Sequence, residues 1–180
     1  SARGLLNFEG SDPHALEAGL ASAEESFGTT DVIGHRKFRV PGSVETVDFR
    51  SQDPDGPYGG DLLALRSGSY PAGPGQVALT EGVAQLLDVE LGATLDLDGR
   101  RRMVVGMVEN PRELSDEFAL VSPSSAGAPD TVTVLVDTDQ EAISAFWRAQ
   151  GDRSAAVGSR LRGNYQPAPE LAMFSVATVF

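Results

Sequence analysis

The order of apolar and polar residues between Gly68 and Pro111 predicts a small unit of strand, helix, strand, turn and strand. A short apolar run predicts its first strand, and apolar residues at helical spacing then follow a threonine that can cap a helix. Leucines that alternate with polar residues predict a half-buried strand, and the Asp-Gly pair after them signals a hairpin. The parts are the strand 76–79, the cap Thr80, the helix of Val83, Leu86 and Leu87, its end at Gly92, the alternating Leu95 and Leu97, the turn Asp98-Gly99 and the strand 102–108.

Two amphipathic helices are predicted outside this unit. Asp12 can cap the first helix, with Pro13 at its first position, and we expect this helix to end at Gly28. Thr138 and Glu141 have the capping-box spacing for the second helix. The apolar residues are Leu16, Leu20, Ala23 and Phe27 on the first helix and Ile143, Phe146 and Trp147 on the second, which we expect to end at Gly151.

Alternating or short apolar runs predict the remaining strands. The segments 31–40 and 46–50 flank a Pro-Gly turn and are expected to pair as a hairpin. The apolar tail 171–180 fits either a last core strand or the approach to a membrane helix. Further strands are predicted at 61–66, 118–121, 132–136 and 155–161, and a loop at 163–169.

The helices and strands follow one another without regular βαβ spacing, which predicts an α+β fold. A chain of 180 residues is long enough to bury a sizeable core. We expect residues 1–60 and 112–180 to form a mixed sheet with two helices on one face. Residues 61–111 would form an inserted, mostly β lobe.

Composition narrows the classes of function. A net charge of −12 disfavours binding to nucleic acid and to anionic lipid, because both need a basic surface. The absence of cysteine excludes thiolate metal sites, thiol catalysis and disulfides. No apolar run approaches the roughly 20 residues that a membrane helix needs, so we expect any membrane segments to lie outside this chain.

The residue types that support catalysis are sparse and lack a recognisable spacing. His14 and His35 are the only histidines, and no nucleophile motif accompanies them, so both are predicted to lie on the surface. Asp53, Asp55 and Asp61 flank a loop that could attract calcium. Prolines interrupt their spacing, which favours a solvated turn whose carboxylates bond to nearby backbone.

A second acidic group follows the central unit, and paired carboxylates can serve glycoside hydrolysis. Nothing in the sequence fixes the separation of Glu109, Glu113, Asp116 and Glu117, so they are predicted to form a solvated patch. The basic run 100–102 is predicted to be an exposed turn.

The sequence therefore predicts no catalytic residue, no cofactor site and no metal ligand. Tyr58 and Tyr70 are the candidates for contact with a partner, because both are aromatic residues in predicted loops.

The central unit resembles the extracytoplasmic core domain of ABC-transporter permeases of the MacB/FtsX-like type. The resemblance covers about residues 60–111 and is only architectural elsewhere. Its motif letters are structural, so it implies no catalytic residue. The chain departs from the family at Gly92-Ala93, where Gly-Asp or Gly-Lys is common. The matching residues are the Gly-x-Val-Ala-Leu run 75–79, Leu86-Leu87, Leu91-Gly92, Asp98-Gly99 and the strand end 104–108.

The resemblance implies a non-catalytic domain between the first two membrane helices of a permease, on the extracytoplasmic side of a bacterial plasma membrane. It would contact substrate, a partner protein or a second copy, and relay conformational change to the membrane helices. The ATPase would be a separate cytoplasmic subunit or domain. Two alternatives stay open: a small secreted α+β hydrolase, marked by titratable groups that converge in a pocket, and a ligand-binding domain with a deep apolar cavity.

Overall fold

The computed structural model describes residues 4–40, 42–157 and 163–167. Within them one sheet of ten strands carries three α-helices, which confirms the predicted α+β class. Two 3-10 turns, Gly59–Asp61 and Pro123–Ser125, lie in the loops. The strands are β1 Gly4–Glu9, β2 Asp31–Arg39, β3 Thr46–Ser51, β4 Ala64–Gly68, β5 Gln76–Leu79, β6 Thr94–Leu97, β7 Arg100–Glu109, β8 Phe118–Val121, β9 Thr131–Val136 and β10 Gly163–Pro167; the helices are α1 Pro13–Phe27, α2 Glu81–Leu87 and α3 Gln140–Val157.

The sheet is mixed, as predicted. Its strand order is β10-β1-β9-β2-β3-β8-β5-β7-β4, with β6 paired to β7 beside β4. The pairs β3–β8 and β5–β7 are parallel, and the other pairs are antiparallel. Strand β8 lies between β3 and β5 and so joins the strands of residues 4–51 to those of residues 64–109. The division into two lobes stays a prediction.

Helices α1 and α3 pack on the same face of the sheet, as predicted. Their apolar residues share one core cluster with Leu6 and Phe8 of β1 and with the valines of β9. Asp12 caps α1 as predicted, because its side chain accepts from the backbone N–H groups of His14 and Ala15 at 3.1 Å. Gly28 ends α1 at φ 73°, a conformation that favours glycine.

The predictions for α3 need three corrections. Asp139, not Thr138, accepts from the Ala142 backbone N–H at 2.9 Å. The helix continues through Gly151 to Val157, since one glycine costs only about 1 kcal/mol in a helix interior. The predicted strand 155–161 is therefore wrong for its first three residues.

The segment predicted as the loop 163–169 contains a strand. Residues Gly163–Pro167 form β10, which pairs with β1 along its length. This pairing joins parts of the chain that are far apart in sequence, so local composition does not reveal it. The predicted core strand or membrane approach at 171–180 lies outside the described residues, as do residues 158–161 of the other predicted strand.

The central unit has the predicted order of elements. Asp98 and Gly99 both have positive φ, 54° and 67°, as a type I′ hairpin turn requires. Helix α2 ends at Leu87 with Asp88 in the left-handed region, rather than at Gly92 as predicted. Thr80 lies at the N-cap position but makes no side-chain cap bond there.

The strand predicted at 61–66 starts later, as β4, because the Gly59–Asp61 turn occupies its first residue. No helix among the described residues is long and apolar enough to cross a membrane.

Candidate interaction surface

The two tyrosines predicted to contact a partner lie in different surroundings. Tyr58 is half-buried, and its backbone N–H donates to the Asp31 carboxylate at 3.3 Å. The same carboxylate, on a residue only 5% exposed, accepts from the Gly59 backbone N–H at 2.7 Å and so anchors this loop to β2. Tyr70 packs against the core cluster that includes Val108, and burial raises the pKa of its phenol.

His14 is exposed, as predicted, whereas His35 is only partly exposed. The His35 side chain, 25% exposed, places Nδ1 at 2.8 Å from the Asp48 carboxylate and Nε2 at 3.2 Å from the Thr133 hydroxyl. Strand β2 is hydrogen-bonded to both β3 and β9, which supply these two residues. The sequence carries no signal for this contact because Thr133 lies 98 positions away.

Thr133, His35 and Asp48 have the order of a nucleophile, a base and an orienting carboxylate. The Thr133 hydroxyl, however, donates to the Asn7 side-chain oxygen at 2.9 Å. Its proton is directed away from the imidazole, the opposite of what activation of a nucleophile needs. These four residues lie side by side on neighbouring strands of the sheet, and together they fit a structural hydrogen-bond network.

The hydrogen-bond network continues through Arg50, which is 5% exposed. Its Nη2 donates to both carboxylate oxygens of Asp116 at 2.8 Å and lies 3.4 Å from Asp48. The guanidinium carbon is 3.7 Å from the centre of the Phe118 ring, a cation–π contact. Asn110 also donates to Asp116, at 2.9 Å. The loop between β7 and β8 is thereby tied to the sheet.

The prediction of a solvated patch is wrong for Asp116, which is half-buried and paired with Arg50. Glu113 and Glu117 are exposed, as predicted. The Glu117 carboxylate accepts from the Thr80 hydroxyl and, at 3.0 Å, from the Gly82 backbone N–H, which satisfies the first turn of α2. Glu109 lies 3.4 Å from exposed Arg66. The buried guanidinium of Arg50 and the N–H groups at the start of α2 determine the contacts of these acidic residues. Neither can be recognised from the sequence of a loop.

The first acidic group fits the prediction of a turn. The Asp53 carboxylate accepts from the Asp55 backbone N–H at 2.9 Å. Asp61 instead pairs with Arg112 at 2.9 Å. Among the residues that the structure describes, no three acidic or histidine side chains gather where they could hold a metal ion.

The basic run 100–102 is only partly the exposed turn that was predicted. Arg102 is 2% exposed and donates to the backbone oxygens of Pro74 at 2.8 Å and Ser125 at 3.4 Å. Burial, followed by repulsion from Arg100, lowers its pKa. Its guanidinium carbon also lies 5.0 Å from the centre of the Phe49 ring. This arginine is part of the core packing, while Arg100 and Arg101 are exposed.

Asp48 links the stability of this network to pH. Burial would raise the pKa of the Asp48 carboxyl, but the hydrogen bond and charge of His35, with the charges of Arg50 and Lys37, lower it below its usual value. A carboxyl whose pKa is lower in the folded chain stabilises the fold above the unfolded pKa of about 4. That contribution is lost as the pH falls through the folded pKa.

We expect Asp48→Asn to lower the free energy of unfolding at pH 7 and to flatten its decline below about pH 4. Urea unfolding of the variant and the parent chain across pH 2.5–7 measures this difference. The change in pH dependence should correspond to the loss of one titrating carboxyl. Asp55→Asn, in an exposed turn, is the matched control for the loss of one carboxylate. An acid dependence equal to that of the parent chain would refute the role of Asp48.

No protein-family model matches the sequence, and no curated protein matches it. Several solved structures match, and two of them show the similarity of fold. The periplasmic region of MacB from Actinobacillus actinomycetemcomitans matches with a TM-score of 0.56 and 13% identity, over 99% of this chain and 94% of that one. The extracellular domain of the noncanonic ABC-type transporter YknZ from Gram-positive bacteria matches with a TM-score of 0.55 and 11% identity, over 92% of this chain and 100% of that one.

The chain thus has the fold of extracytoplasmic domains of ABC-transporter permeases. This confirms the architecture that the resemblance of the central unit implies, and it extends the likeness to almost the whole chain.

Proposed function

We propose that this chain is the extracytoplasmic domain of an ABC-transporter permease. It contacts substrate or partner proteins outside the plasma membrane and passes conformational change to membrane helices of the same permease. The observation that carries the proposal is the similarity of fold to the periplasmic region of MacB across 99% of the chain. The hydrolysis of ATP is assigned to a separate subunit or domain.

The network on the sheet supports a role in coupling. Arg50 and Asp116 connect β3 to the loop before β8, and Glu117 in that loop holds the first turn of α2. A push on α2 would therefore reach the central strands through charge-assisted hydrogen bonds, which are stronger than neutral ones.

The gene that encodes this chain provides the test. We expect its full reading frame to contain one membrane helix before residue 1 and three after residue 180, and a neighbouring ATPase gene or domain. The ATPase, co-purified with the full-length protein, should lose its stimulation by the permease when the domain is deleted. A reading frame with no membrane segment on either side would overturn the proposal.

We also propose that the domain has no catalytic activity of its own. The hydroxyl of Thr133 is engaged with Asn7, and His35 is engaged with Asp48. We expect the chain to hydrolyse p-nitrophenyl acetate no faster than its His35→Gln variant does. A rate that falls with this substitution and with Thr133→Val would favour the hydrolase alternative.

The partner contact at Tyr58 and Tyr70 is proposed as well. Tyr58 is the better target for a test, because Tyr70 packs on the core and its loss would also affect stability. Tyr58→Ala should weaken binding of an extracytoplasmic partner to the full-length permease, while Tyr58→Phe should retain it. Equal binding by Tyr58→Ala would remove this residue from the interface.

A further inference from the structure

A groove of about 450 Å³ lies beside the start of α2, where β7 runs into the loop before β8. We call it the acidic groove. Its volume is within the range of about 300–1,000 Å³ that is usual for binding sites. None of the residues predicted from the sequence to contact a partner lines it.

The apolar part of the acidic groove is accessible from outside. Leu114 is 72% exposed, Met107 is half-buried, and Val108 is buried. Burying apolar surface gains about 25 cal/mol per Å², so a ligand that covers the Leu114 side chain would gain affinity. An exposed leucine alone is ordinary, but this one borders a groove with fixed walls.

The polar part of the acidic groove is negative. Four carboxylates line it, against the guanidinium of Arg66 in the lining and that of Arg50, which pairs with Asp116 from inside the fold. Two of them, Asp116 and Glu117, are fixed by hydrogen bonds from inside the fold and stay in position without a ligand. The other two are Glu109, which pairs loosely with Arg66, and exposed Glu81. Because side chains that are already ordered lose little entropy on binding, this geometry favours a cation.

We infer that the acidic groove binds a basic, amphipathic segment of another extracytoplasmic protein, one that places a lysine or arginine beside an apolar side chain. The inference rests on the proposed function for the location of the partner. Charge complementarity selects this occupant, since the carboxylates repel anionic lipids and free acids. A second copy is disfavoured because each chain carries a net charge of −12.

A peptide of alternating lysine and leucine, nine residues long and blocked at both ends, is the probe. Its binding to the chain is measured by isothermal titration at 150 mM salt, where distant charges are screened. We expect Glu81→Gln combined with Glu109→Gln to weaken binding about tenfold. Neither residue holds the Arg50 network or the cap of α2. Glu17→Gln combined with Glu25→Gln, on exposed positions of α1, removes the same charge and should leave the affinity unchanged.

The apolar contact has its own variant. Leu114→Ser should weaken the lysine–leucine peptide but not a peptide of lysine and serine, and its exposure makes loss of folding no concern. Equal losses in the two charge variants, or no effect of Leu114→Ser, would overturn the inference. Self-association of the chain that Glu81→Gln and Glu109→Gln abolish would assign the acidic groove to a second copy and would also overturn it.

These outcomes are separate from the test of the proposed function. The peptide measurement uses the chain alone, so it can fail while the reading frame still shows a permease. The peptide measurement can also succeed when the reading frame shows no membrane segment.

Discussion

Replacing Arg50 by methionine is expected to lower the free energy of unfolding by about 3 kcal/mol. Methionine keeps the apolar stem over the Phe118 ring but removes the guanidinium that Asp116 and Asp48 share. Two partly buried carboxylates would then lie close together without their cation. Urea unfolding at pH 7, followed by circular dichroism, measures the change.

The matched control is Arg66→Met. Arg66 also pairs with a carboxylate, Glu109, but its side chain is 66% exposed and the distance is 3.4 Å. Surface ion pairs contribute about 0–1 kcal/mol, so this variant should stay close to the parent chain. If the two variants lose equal stability, the Arg50 network does not support the fold in the way described.

Gly106→Ala is expected to destabilise the fold by about 3 kcal/mol. A Cβ atom at this position would lie 2.1 Å from the backbone oxygen of Ser69. The Ser69 backbone cannot easily shift to relieve this contact, because its N–H donates to the Val105 oxygen at 2.8 Å. The register of β7 also shifts near this glycine against both β4 and β5, and a glycine inside a strand often marks such a bulge or a close approach of backbone. The same urea titration measures the loss.

Gly75→Ala provides the comparison within the same unit. A Cβ atom on Gly75 would meet nothing within 4 Å, and the residue has no positive φ. We expect a change within about 0.5 kcal/mol, as for most surface substitutions. A Gly106→Ala variant as stable as Gly75→Ala would show that the close approach to Ser69 is not required.

Gly106 also explains why the resemblance of the central unit predicted a fold and not an activity. The glycine in the strand end 104–108 allows a close approach of backbone, and Gly99 of the hairpin turn allows a positive φ. Motif letters of this kind specify turns and close approaches, which is why they predicted the order of elements in the central unit. They contain nothing from which a substrate could be inferred.

The parts of the fold that the sequence predicted are those determined by neighbours in the chain. Asp12 reaches its capping partners two and three residues away, and the Asp98-Gly99 turn needs only its own backbone. Helix α3 passes Gly151 because its stability depends on packing against the sheet as well as on propensity. Strand β10 exists through its pairing with β1, which no local pattern encodes.

The candidate site was less predictable for the same reason. Tyr58 and Tyr70 could be selected only as loop aromatics, and the structure places Tyr70 on the core. The roles of His35 and Arg50 depend on partners 98 and 66 positions away. The acidic groove combines residues from β4, α2, β7 and the following loop, so its carboxylates and its apolar residues come together only after folding.

A single cysteine at Val44 gives the most direct test of display outside the membrane. Val44 is 95% exposed, and the chain contains no cysteine of its own. The full-length protein carrying Val44→Cys is treated in intact cells with a membrane-impermeant maleimide, with Ala78→Cys, at a fully buried position, as the unreactive control. We predict complete labelling of Val44→Cys before the cells are lysed. Labelling that appears only after lysis would place the domain in the cytoplasm and contradict its assignment as an extracytoplasmic domain.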